Sequence, residues 1–157
     1  MSFSVASLFA ERDERRRREQ AAKDQLEKRK EEELAAFKAR LDSFQVTDDI
    51  VQAVLTRIRR AFDRGEFELM LTSFPSSFCS DDGRAVNNAD RDPPTPPGQE
   101  PAWLATLPKG ARPVYDYWKA NLAPGGFGFS ARIISYPDGK PGDVGLFFSW
   151  PRSAMEA

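Results

Sequence analysis

Apolar positions are spread unevenly along the chain, and their spacing changes with position. From Glu11 to Glu33 the sequence reads ERDERRRREQAAKDQLEKRKEEE, almost without apolar side chains. No Gly, Pro or Asn interrupts residues 11–40, so helix propensity is high throughout. One long helix is expected from about Ser4 to Phe44. Acidic residues precede basic ones by four at Glu11–Arg15, Asp13–Arg17, Glu14–Arg18, Glu19–Lys23 and Asp24–Lys28. Each such pair adds about 0.2–0.5 kcal/mol without tertiary contact. Apolar residues enter late, as Leu34, Phe37, Leu41 and Phe44 at 3-4-3 spacing. That is an a/d seam two heptads long, short of the three or four that define a coiled coil.

Beyond Thr47 the pattern becomes that of a core. Ile50, Val51, Val54, Leu55, Ile58, Ala61 and Phe62 form the stripe of a core-facing helix from about Asp48 to Arg64. Thr47 or Asp48 is placed to cap it and Gly65 to stop it. Phe67, Leu69 and Leu71 then alternate with polar residues, predicting a strand over Phe67–Phe74. Val114, Tyr115, Trp118 and Leu122 share one face of a third helix over Pro113–Leu122, with Pro113 at its start. Phe127, Phe129, Ala131 and Ile133 alternate, as do Val144, Leu146, Phe148 and Trp150, on either side of a loop dense in turn formers. That is a β-hairpin. The fold class is therefore α+β: a long charged helix (1–46), then a small helix-strand-helix-strand-strand domain (47–157) with one sheet face under two helices. The long helix is expected to project from that domain or to pack along it. Residues 75–110 show no periodic element of useful length, and with Pro93–Pro97 they predict a surface excursion centred on 89–110. Ala102-Trp103-Leu104 is expected to form a short turn pinning it to the core.

Charge changes the reading of the first helix. Its Arg15-Arg16-Arg17-Arg18 run looks like a nucleic-acid contact, and Arg57, Arg59 and Arg60 extend the basic set. Residues 1–64 hold 15 Lys/Arg against 13 Asp/Glu, so the excess is only two, and the whole chain stands at −1. Four successive helical residues also fan around the whole circumference. The count argues against nucleic acid as the main partner, and no 18-residue apolar stretch calls for a membrane.

Composition narrows the chemistry. Histidine is absent and Cys79 is the single cysteine, which removes Cys-His and Ser-His-Asp catalysis from one chain. It also fits a reducing, cytoplasmic compartment. Residues 1–10 have no basic n-region, so a secretory signal is not expected. Asp81, Asp82, Arg84, Asn87 and Asn88 form a polar loop beside Cys79 that could serve a small hydrolase or transferase. The plainer reading is a turn leading into a short helix with an Asp cap. Its oxygens lack EF-hand spacing, and no cofactor or metal is expected. Gly125-Gly126-Phe127-Gly128 precedes a strand and lacks the P-loop Lys-Ser/Thr, so it reads as a helix stop. The aromatics Trp103, Tyr115, Trp118 and Trp150 read as core, while Tyr117 and Tyr136 fall off the main apolar faces.

Two segments, FPSSFCSDDGRAVNN (Phe74–Asn88) and SYPDGKPGDVGLFFSWP (Ser135–Pro151), carry a resemblance. There Cys and Asp lead into Gly-Arg-Ala-hydrophobic-Asn-Asn, a Trp-Leu turn follows, and Pro-Gly-Asp opens an aromatic strand ending Ser-Trp. The chain resembles a family of short alphaproteobacterial proteins of unknown function over about residues 67–151. The resemblance implies a bacterial intracellular setting and carries no catalytic residue with it. Ser-Asp-Asp-Gly departs from that family's Thr-Asp-Gly-Gly at Asp82.

The leading functional expectation is a non-catalytic protein-interaction or oligomerisation module acting through Leu34, Phe37, Leu41 and Phe44, with a second copy or another protein as partner. The alternatives are a nucleic-acid accessory protein using the arginines, and a small enzyme centred on the Cys79–Asn88 loop.

Overall fold

The structure, a computed structural model, describes residues 3–93 and 95–154. The chain is α+β, and it divides into two compact units, Met1–Ala39 and Arg40–Ala157. Helix α1 runs unbroken over Val5–Asp42 with no buried residue. Ser4 and Ser7 cap its start reciprocally, each backbone N–H donating to the other's hydroxyl at 3.2 and 3.1 Å. Among the described residues no helix is long and apolar enough to cross a membrane.

In the second unit, α2 (Asp48–Asp63) starts where the sequence places it. The Thr47 hydroxyl accepts the Ile50 N–H at 3.3 Å, satisfying one of the unpaired donors of the first turn. Strands β1 (Glu68–Pro75), β2 (Gly128–Ile133) and β3 (Asp143–Ser149) form an antiparallel sheet in the order β1-β3-β2. The predicted hairpin is β2–β3, and β1 joins the free edge of β3. Phe148 stands opposite both Leu69 and Phe129, and Val144 opposite both Phe74 and Ile133. The period of two therefore sends Val144, Leu146 and Phe148 to one face, where Ile58 of α2 and Leu122 pack on Phe148.

The other sheet face carries Phe147, which is only 5 % exposed. The Arg132 guanidinium lies 3.7 Å from its ring centroid, and Arg132 donates to the Glu68 carboxylate at 2.7 Å. A guanidinium over a ring face is attracted by the ring quadrupole and covers the ring while its N–H groups pair with the carboxylate.

Two expectations require correction. Residues 75–110 are not one surface excursion: Phe78, Cys79, Val86, Trp103, Leu104 and Leu107 are all buried. Short elements too brief for a periodic signal hold them, namely a 3₁₀ turn at Ser76–Phe78, α3 (Arg84–Asn88) and a 3₁₀ turn at Leu104–Thr106. The Trp103-Leu104 turn does pin the segment, and the exposed stretch shrinks to about residues 90–100, where Pro94 of the Pro93–Pro97 run lies outside the described residues. The third helix, α4, occupies Ala111–Tyr117 and continues as a π-helical turn over Trp118–Leu122. The Trp118 indole N–H donates to the Phe127 carbonyl at 2.9 Å, tying that turn to the entrance of β2.

Candidate functional site: an apolar cavity in the second unit

The two helices on the sheet do not close over it. Of the α2 stripe only Ile58 and Ala61 are buried, while Phe62 is 63 % exposed. A cavity of about 320 Å³ separates α2 from α4. Leu71, Phe74, Leu146 and Phe148 of the sheet line it, as do Ile50, Val51 and Val54 of α2. Val114 and Tyr117 line it from α4, Leu41 from the last turn of α1, and Phe44 and Val46 from the link between α1 and α2. Arg57 is the only charged side chain in the lining, and its guanidinium donates to the Met70 carbonyl at 3.0 Å.

The last turn of α1 and the link that follows it are seated by two contacts. The Lys109 N–H donates to the Asp42 carboxylate at 2.9 Å. Gly110 approaches so closely that a Cβ there would collide with the Leu41 carbonyl oxygen and lie 2.8 Å from the Phe44 Cβ. This separates the four seam residues. Leu41 and Phe44 belong to the cavity wall, whereas Phe37 is half-buried and Leu34 is exposed. The 3-4-3 spacing describes one helix face, yet its C-terminal part is spoken for by the second unit.

The Cys79–Asn88 loop is a capped turn. The Asp81 carboxylate accepts the Gly83 N–H at 3.0 Å and the Ala85 N–H at 2.9 Å, so both oxygens are used in starting α3. Gly83 sits at φ +84° with a would-be Cβ 2.9 Å from that of Ser76, which excludes other residues there. The loop lines an open, shallow depression with Asp81, Asp82, Arg84, Asn87, Asn88 and Pro141. Asn87 accepts the Tyr136 hydroxyl at 2.9 Å. Burial, followed by the neighbouring Asp81 and Asp82 charges, pushes the Cys79 thiol up to about 11, which leaves it protonated at neutral pH. Among the described residues no group of three or more His, Cys, Asp or Glu is placed to hold a metal.

The basic candidates are dispersed. Arg17 and Arg18 both reach Glu14, at 3.5 and 3.3 Å, and Arg15 and Arg16 are exposed around the same helix. Arg59 and Arg60 lie exposed on α2, while Arg57 points to the cavity rim. Sequence reasoning missed the cavity because a residue lining a void carries the same apolar signal as one in a filled core.

No family model, no curated protein and no solved structure matches the chain.

Proposed function

We propose that the chain is a non-catalytic self-association module in which α1 pairs antiparallel with α1 of a second copy. One observation carries this: α1 is continuous from Val5 to Asp42 without burying any residue, yet its large apolar side chains share a face. At about 100° per residue, Val5, Leu8, Phe9, Leu26, Leu34 and Phe37 fall within an arc of about 100°. Leu8, Phe9, Leu26 and Leu34 are all exposed. They fall in two groups, Val5–Phe9 and Leu26–Phe37, and exposed apolar surface on one face of both favours burial against another helix.

Charge favours the antiparallel sense. A parallel pair would set Arg12, Arg16, Lys23 and Lys30 of that face against their own copies. When Leu8 faces Leu34 in an antiparallel pair, Val5 faces Phe37. In that register Glu19–Lys23 on that face and Arg15–Glu27 at its edges are opposite in sign, against one like pair on the face at Arg12–Lys30. Solution mass provides the test. The full chain is expected to be a dimer and Leu8→Glu a monomer with unchanged near-ultraviolet circular dichroism. A wild-type monomer at about 100 μM, well above the Kd of a typical stable pair, would defeat the proposal.

A further inference from the structure

The cavity between α2 and α4 has the features of a small-molecule site. It holds about 320 Å³ and is partly open to solvent, with an almost wholly apolar lining. Sites for small ligands span roughly 300–1,000 Å³ and pair apolar walls with a few placed polar groups. A dry apolar cavity of about 150 Å³ is enough to take up benzene, so twice that volume suits a molecule of about a dozen heavy atoms. The polar groups are few: the Arg57 guanidinium, the Thr72 side chain and Tyr117. Arg57 is held at the rim by its bond to the Met70 carbonyl, with no carboxylate at ion-pair distance among the described residues. A guanidinium fork offers paired donors that match a carboxylate.

We propose that this cavity binds a small carboxylate-bearing apolar molecule of the medium-chain fatty-acid class, its chain between α2 and α4 and its carboxylate on Arg57. The reasoning is charge complementarity combined with size. An apolar lining alone would accept any hydrocarbon, but a lone cation at the mouth favours an anionic head over a neutral or cationic one. The walls are seated by local structure, through the Thr47 cap of α2 and the Gly110–Leu41 approach, so the cavity is present before a ligand arrives.

Decanoate, with twelve heavy atoms, is the probe. Titrated below its micellar range into the full-length protein, it is expected to shift the methyl resonances of Val51, Val54, Leu71 and Val114 saturably. Decanol should bind more weakly, and Arg57→Gln should reduce decanoate affinity by up to about fivefold, the scale of an exposed ion pair. Val54→Phe, which fills the cavity, should abolish binding with the fold retained. Val114→Leu offers a milder filling variant if Val54→Phe fails to fold. The absence of saturable shifts in the wild type overturns the proposal, as does binding unchanged by the filling variants. Equal affinity for decanol overturns the assignment of the head group to Arg57. Shifts of the same methyls on dilution without ligand would give the cavity to a second copy and likewise overturn it.

Discussion

Cys79 lies 3 % exposed, and its raised thiol pKa follows from that burial before any charge is considered. At pH 8 less than about one thiol in a hundred is then ionised. Cys79 is expected to resist alkylation by iodoacetamide in the native protein at pH 8 and to react readily in denaturant. Fast labelling of the folded protein would contradict the burial. Glu68 shows the opposite effect, since the Arg132 hydrogen bond holds its carboxyl below the usual value of 4.5. A carboxylate whose folded pKa is depressed stabilises the fold above the unfolded value and loses that contribution as pH falls through the folded one. Stability should therefore decline below about pH 4.5, and Arg132→Gln should flatten that decline, read by urea melts across pH 2–6. The side chains are 42 and 44 % exposed, so the pair itself is worth no more than about 1 kcal/mol. Gly110 involves a steric term instead. Gly110→Val would force the Leu41–Phe44 link off its seat, and a loss of about 1–3 kcal/mol is expected in denaturant unfolding, the usual range for overpacking.

At the scale of elements, local sequence and local structure agree wherever the period is long enough to be read. The α2 boundaries, the β2–β3 hairpin and the Asp-capped turn at Asp81 follow from propensity, alternation and side-chain oxygens within a few residues. Thr47→Ala removes one cap bond and is expected to cost about 1 kcal/mol in thermal melts, with Thr47→Asn close to neutral. Disagreement appears in elements of three to five residues. Phe78, Val86 and Leu104 are core residues in elements too short for an apolar period to show. The start of the 75–110 segment is held from far away in sequence, with the Ser76 hydroxyl donating to the Pro141 carbonyl and the Ser76 N–H to the Gly142 carbonyl. No window of the sequence could contain that signal.

For the whole molecule, the sequence by itself determined the α+β class, the long charged helix and the one apolar face of the sheet. Those properties depend on periods of 3.6 and 2 and on charge spacing, all of them local. Tertiary structure alone decided three further things. It placed β1 against β3, so that β3 became the central strand. It assigned Leu41 and Phe44 to the second unit while Leu34 stayed exposed, although the four residues share one spacing. It also left a void between α2 and α4 instead of closing it. The reason is common to all three. Hydrophobic patterning records that a side chain avoids water, but what covers it, and whether anything does, depends on the packing of segments far apart along the chain.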